Sequence, residues 1–196
     1  MIVRIMMIAL PCAAMTALFI VDFLLGGALK NFGIHPRDVG SLYTIFTAPW
    51  LHADFWHLAN NMAGFAVFGL LTVLNGPRYF AVASAIIIGI SGLLLWLFGR
   101  DANHIGASGW IFGLWSLTIA LAWFERSLRH ILIGMAVIFF YGTMLFGMLP
   151  SDQRISFEGH IFGALAGIVA AWVLSRKKAL PRMATAPKDN APRFWP

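Results

Sequence analysis

Residues 159–167 read Gly-His-Ile-Phe-Gly-Ala-Leu-Ala-Gly and open the last long apolar stretch of the chain. Gly159, Gly163 and Gly167 are spaced four residues apart, so in a helix they lie on one face. Such small-residue faces allow membrane helices to pack very closely. Close packing accounts for the glycines, but it does not account for a histidine, His160, at the start of this face.

A second stretch has the same glycine spacing. Residues 106–109 read Gly-Ala-Ser-Gly, and Gly109 and Gly113 follow each other at an interval of four. A close crossing of the two helices would bring Ser108 near His160. Taken alone, a serine at a helix start is equally an N-cap. The nucleophile elbow of soluble hydrolases, G-x-S-x-G, does not fit this stretch.

The composition excludes an ordinary soluble domain. The chain has 196 residues, of which 60% are hydrophobic and 11% are charged, whereas a soluble domain is about 25% charged. A spanning helix needs about 20 mostly apolar residues. The apolar runs cover residues 5–27, 62–74, 79–98, 109–124, 131–149 and 161–174. The first run is too long for the core of a signal peptide. From the six runs together we predict an all-α membrane protein, a compact bundle of six transmembrane helices.

The distribution of Lys and Arg predicts the orientation of the bundle. If both termini are cytoplasmic, ten basic residues lie on the inner side and four on the outer side, which favours N-in/C-in. The net charge of +6 therefore reflects topology, and nucleic-acid binding is not expected. We predict one membrane domain over residues 1–175. Residues 176–196, a basic segment containing prolines, are expected to form a disordered tail attracted to anionic lipids.

Polar residues precede three of the apolar runs. The second, fourth and sixth runs are short, and helices of full length would carry His57 and Asn61, Ser108, and His160 into the outer leaflet. Polar groups at that depth must face protein or a water-filled cavity. His57 and Asn61 are four residues apart and share a helix face. Both are hydrogen-bond donors suited to an oxyanion, although interfacial polar residues are an equal alternative.

The order H-x-x-x-N, G-x-S-G and G-H-x-x-G-x-x-x-G, each opening a helix, resembles the rhomboid intramembrane serine proteases over residues 47–174. The resemblance implies Ser108 as nucleophile and His160 as general base and acid. It implies that His57, Asn61 and the backbone N–H of Ser108 stabilise the oxyanion. Gly106, Gly109, Phe112 and Gly163 are the expected supporting residues. His52 has a counterpart in some members, and no metal or other cofactor is implied.

The sequence departs from the family pattern at two places. Many members have tyrosine at the position of Phe112, so ring stacking on His160 is expected without the hydroxyl group. A Trp-Arg pair in the first long loop is replaced by Tyr43 and Thr44. That loop, residues 30–56, is rich in aromatic side chains and is expected to lie in the membrane interface.

The resemblance implies cleavage of membrane proteins with one or few spans at an unstable part of their helix. It also implies a multi-pass protein of the bacterial inner membrane, with the site facing the periplasm. A catalytically silent relative that binds membrane clients is the main alternative. A small transporter is a further alternative, but the polar residues cluster in one leaflet only. A zinc site is disfavoured because no H-E-x-x-H occurs in the sequence.

Overall fold

Apolar helices make up most of the computed structural model, which describes residues 1–150 and 155–179. The described residues form six α-helices, which follow one another in sequence, and contain no strand. They are α1 (Ile2–Leu24), α2 (Phe55–Val73), α3 (Pro77–Phe98), α4 (Ser108–Glu125), α5 (Leu128–Tyr141) and α6 (Phe157–Ala179). The prediction of an all-α protein is therefore confirmed.

Four helical segments are long and apolar enough to cross a membrane by length and composition. They are Ile2–Leu24, Pro77–Phe98, Leu128–Met148 and Phe157–Arg176. The protein is thus a multi-pass integral membrane protein. The remaining helices are α2 and α4, and the polar residues that precede their apolar runs lie within the first two turns of these helices.

Helix α4 forms the centre of the bundle. It contacts α2, α3, α5 and α6, and its side chains from Trp110 to Thr118 are all buried. Phe65, Phe68, Ile87, Leu114 and Leu117 are almost completely inaccessible to solvent and form the middle of the core. By contrast, α1 and α5 expose most of their apolar side chains, as expected for helices that face lipid.

The structure differs from the sequence-based boundaries at several helix ends. The fifth run is α-helical only to Tyr141 and continues as a 3-10 helix over Gly142–Met148. Helix α6 continues to Ala179, four residues beyond the predicted domain boundary. The rest of the predicted tail, residues 180–196, lies outside the described residues.

The first long loop is ordered by hydrogen bonds at both ends. It contains 3-10 segments at Ala28–Phe32, Val39–Ile45 and Ala48–Trp50. The carboxylate of Asp22, buried at the end of α1, accepts the Leu29 N–H at 2.8 Å. The Lys30 ammonium group donates to the Ala53 carbonyl at 2.8 Å. These contacts hold the loop across the end of α1 and the start of α2.

Candidate active site

Helices α4 and α6 cross at backbone contact. A Cβ atom at Gly163 would overlap the Gly109 carbonyl, and one at Gly167 would overlap the Gly113 carbonyl. A Cβ atom at Gly109 would lie 3.1 Å from the Gly159 carbonyl oxygen. The glycines predicted to form packing faces therefore do contact each other. This contact brings the first turns of α4 and α6, which begin at Ser108 and Phe157, side by side.

Two contacts fix the ring of His160 in the first turn of α6. The Phe112 ring stacks on it, with centroids 4.1 Å apart and planes inclined by 7°. Its Nδ1 atom lies 2.7 Å from the Gly147 carbonyl oxygen. Because a carbonyl only accepts hydrogen bonds, Nδ1 must carry the proton. In the neutral ring, Nε2 is then an acceptor, as a general base requires.

Ser108 is the first residue of α4 and is half-buried. The preceding turn requires a glycine at Gly106, where φ is +114°, and the Gly106 N–H donates to the Ala48 carbonyl at 2.9 Å. The Ser108 hydroxyl makes no hydrogen bond within the described part of the chain. Ser108 lines a partly open pocket together with Gly106 and Trp110. His160 is not part of the pocket wall.

His57 and Asn61 lie in the first two turns of α2 and both face the turn before Ser108. The Asp54 carboxylate caps this helix by accepting the His57 N–H at 2.9 Å. A Cβ atom at Gly106 would lie 2.5 Å from His57 Nε2 and 3.5 Å from Asn61 Nδ2. The Ala53 N–H donates to His57 Nδ1 at 3.4 Å. His57 Nε2 is therefore the protonated nitrogen, and it lies next to Gly106.

The Asn61 amide is a buried donor without an acceptor. The residue is 5% exposed, and Nδ2 has no hydrogen-bond partner among the residues that the structure describes. A buried polar group in this condition destabilises a fold by about 1–3 kcal/mol. A catalytic role, in which a reaction intermediate supplies the missing partner, is one explanation for such a group, and a bound water is another.

His52 packs against His57 in the interior of the protein. It is 2% exposed, and its ring contacts the His57 ring edge-on with centroids 5.1 Å apart. Burial, with a smaller contribution from His57, lowers the pKa of His52 to about 4. His52 is therefore neutral at neutral pH and packs against His57 without adding a charge to the site.

The structure also reveals site residues that the sequence analysis did not predict. Gly147 acts through a backbone carbonyl, which every residue type has, so no sequence signal marks it. His104 and Ser156, whose side chains lie 2.7 Å apart, are 52 positions apart in the sequence. The described residues contain no group of three or more His, Cys, Asp or Glu side chains that could hold a metal ion.

Comparison with known proteins was consistent with the sequence motifs. The model of the Rhomboid domain matches residues 39–177. An uncharacterised protein of Mycobacterium tuberculosis is 39% identical over 165 residues, covering 80% of this chain and 69% of the relative. Rhomboid-like protein 11 of Arabidopsis thaliana, a chloroplast protein, is 31% identical over 150 residues, covering 68% and 53%. A Bacillus subtilis protein with the provisional name of a rhomboid protease is 32% identical over 145 residues, covering 71% and 70%.

Proposed function

This chain belongs to the rhomboid family, and we propose on that basis that it is an intramembrane serine endopeptidase. Its substrates would be membrane proteins with one or few spans, cut within or near a membrane helix. The protein would span the bacterial inner membrane six times with both termini in the cytoplasm. The charge distribution described above supports this orientation, which turns the first turns of α2, α4 and α6 towards the periplasm.

In the proposed reaction, the Ser108 hydroxyl oxygen attacks the carbonyl carbon of the scissile peptide and His160 Nε2 takes its proton. The same proton passes to the leaving amine when the peptide C–N bond breaks. Water then attacks the acyl-enzyme, again with His160 as base, and frees Ser108. The hydrogen bond from Nδ1 to the Gly147 carbonyl supports this assignment because it keeps Nε2 unprotonated in the resting state.

One observation carries the proposal: the unpartnered amide of Asn61 and the Nε2 atom of His57 both lie next to Gly106. Both donors face the turn that leads into Ser108, where an oxyanion would form after attack. Donors that are already in place stabilise the negative charge without reorganisation at the moment of reaction. An interfacial polar residue would have its donors satisfied by water, whereas the Asn61 amide is buried.

The proposal is tested by labelling the purified protein in detergent with a fluorophosphonate probe, which reacts with activated serines. We expect wild-type protein to be labelled and to cleave a generic transmembrane substrate. A folded wild-type protein that does neither would instead favour the silent relative that only binds membrane clients.

Asn61→Ala is expected to lower kcat by about 10²–10³-fold without abolishing cleavage, because one oxyanion donor is lost and the others remain. The measurement is the initial rate of substrate cleavage in detergent micelles. Asn60→Ala is the matched control, since Asn60 is adjacent but exposed, and it should retain wild-type activity. An Asn61→Ala protein as inactive as one lacking Ser108 would contradict the oxyanion role.

Gly147→Ala is expected to lower kcat by about tenfold or more. The added Cβ atom would lie 2.9 Å from Phe112 Cζ and 3.5 Å from His160 Nδ1, so the stacked rings must shift and the base loses its alignment. Gly142→Ala lies in the same 3-10 segment with no neighbouring atom within 4 Å. This control should leave the cleavage rate unchanged, and equal rates in the two variants would show that the Gly147 contact is unimportant.

A further inference from the structure

A hydrogen-bonded bridge joins the loop before α4 to the first turn of α6. His104, 3% exposed, lies in that loop, with Nε2 3.0 Å from the Arg100 carbonyl oxygen and Nδ1 2.7 Å from Ser156 Oγ. The carbonyl accepts, so Nε2 carries the proton in the neutral ring. Nδ1 then accepts the hydrogen bond from the Ser156 hydroxyl. The direction of every bond in the bridge is thereby fixed.

Ser156 is at the same time the cap of α6. Its oxygen accepts the Gly159 N–H at 3.3 Å, and its carbonyl accepts the His160 N–H at 3.2 Å. A capping serine uses only its oxygen lone pairs. Here the hydroxyl hydrogen is used as well, and its acceptor is a buried histidine from another segment of the chain.

Each residue of the bridge precedes one member of the proposed catalytic pair at the same sequence spacing. His104 precedes Ser108 by four residues, and Ser156 precedes His160 by four residues. Both bridge residues line the pocket that Ser108 lines. The bridge therefore connects the two segments that lead into the helix starts carrying Ser108 and His160.

Further contacts hold the same two segments. The Arg100 guanidinium group lies 3.3 Å from the Glu158 carboxylate and donates to the Ile155 carbonyl at 2.7 Å. The backbone of His104 pairs with that of Ile34 through two hydrogen bonds of 2.9 and 3.0 Å. Because its backbone is held in this way, the His104 side chain has a fixed position, from which Nδ1 accepts the hydrogen bond of Ser156.

We infer that His104 and Ser156 are positioning residues, and that their hydrogen bond sets the distance between Ser108 and His160. The inference rests on the proposed protease function. Ser108 itself makes no hydrogen bond to a described residue, so its alignment with His160 depends on how the two helix starts are held. A displacement of about 1 Å in such a pair lowers a rate by about 10²-fold.

Burial is the main cause that lowers the pKa of His104. The hydrogen bond to the Arg100 carbonyl and the charge of Glu158 oppose this shift, and the charges of Arg100 and His35 add a smaller lowering. The ring is therefore neutral at neutral pH. Protonation would place a hydrogen on Nδ1. Nδ1 would then donate to the Ser156 oxygen instead of accepting from its hydroxyl group. The bridge is thus expected to keep this direction at neutral pH and to reverse only below the ordinary pKa of histidine, about 6.5.

The kinetic test compares three variants of the full chain in detergent. Ser156→Ala removes the bridge and is expected to lower kcat by about 10–100-fold with KM within about twofold. Ser156→Thr keeps a capping hydroxyl and should restore most of the activity. Ser116→Ala removes another hydrogen bond between α4 and α6, from Ser116 Oγ to the Ala164 carbonyl at 2.7 Å. This control should lower thermal stability but leave kcat unchanged.

A second measurement does not depend on activity. In a Cys12→Ser background, nitroxide labels at the exposed positions 101 and 155 report the separation of the two segments by continuous-wave electron paramagnetic resonance. We expect Ser156→Ala to change the dipolar broadening of the spectrum and Ser156→Thr to restore it. Unchanged broadening would overturn the inference even if the wild-type protein proved to be inactive.

The two measurements separate the possible failures. Wild-type protein without cleavage or labelling would refute the proposed function, while the spin-label result would still decide the bridge. Wild-type kcat in Ser156→Ala would overturn the positioning role. Probe labelling that is lost in Ser156→Ala and kept in Ser108→Ala would also overturn it, because Ser156 would then be the nucleophile.

Discussion

Ser108→Ala is expected to reduce cleavage of a transmembrane substrate to background, a loss of at least about 10⁴-fold, and to abolish fluorophosphonate labelling. The reason is that no other group can form the acyl-enzyme once the hydroxyl is removed. His160→Ala is expected to cause a loss of similar size, and the double variant should be no worse than either single variant, because nucleophile and base act as one unit.

The matched control for this experiment is Ser116→Ala. Ser116 is a buried serine in the same helix, α4, and its hydroxyl binds backbone carbonyls in the bundle. Its replacement should leave labelling and cleavage intact. Retention of labelling in Ser108→Ala protein, with the control behaving normally, would exclude Ser108 as the nucleophile.

Gly163→Ala is expected to destabilise the fold by about 1–3 kcal/mol or more. The added methyl group would meet the backbone of Gly109, including its Cα atom at 3.0 Å. No flexible side chain lies between the helices to move aside, so α4 and α6 must separate. Because these helices carry Ser108 and His160, the cleavage rate should fall together with stability.

The measurement is thermal unfolding in detergent, followed by circular dichroism, alongside the rate of substrate cleavage. Gly89→Ala is the control, since Gly89 lies in α3 with no neighbouring atom within 4 Å. Replacing this glycine within a helix should leave stability unchanged or raise it by a few tenths of a kcal/mol. A Gly163→Ala protein as stable as wild type would show that the helices tolerate greater separation.

The sequence predicted features that depend on residue type and short spacing. Hydropathy is a local property, so the apolar helices could be predicted directly. The interval of four between Gly159, Gly163 and Gly167 predicted a close helix contact because helical periodicity alone places them on one face. The motifs that contain Ser108 and His160 could also be recognised, because they too consist of particular residue types at short spacing.

The helix ends were harder to predict, because polar first turns resemble loops in a hydropathy pattern. Helix α2 begins at Phe55, seven residues before its apolar run. It begins there because the Asp54 carboxylate caps the helix by accepting the His57 N–H. The change from α-helix to 3-10 helix at Gly142 also has no clear signal in an apolar run. Yet this segment carries the carbonyl that holds His160.

The sequence by itself determined that the protein is all-α, that it lies in a membrane, and which polar residues open its helices. Only the tertiary structure decided how the candidate site is held together. The bond between His104 and Ser156 joins residues 52 positions apart, and the bond to His160 uses a backbone oxygen. Neither leaves a pattern in the sequence, because long-range side-chain pairing and backbone acceptors depend on where the packed helices place them.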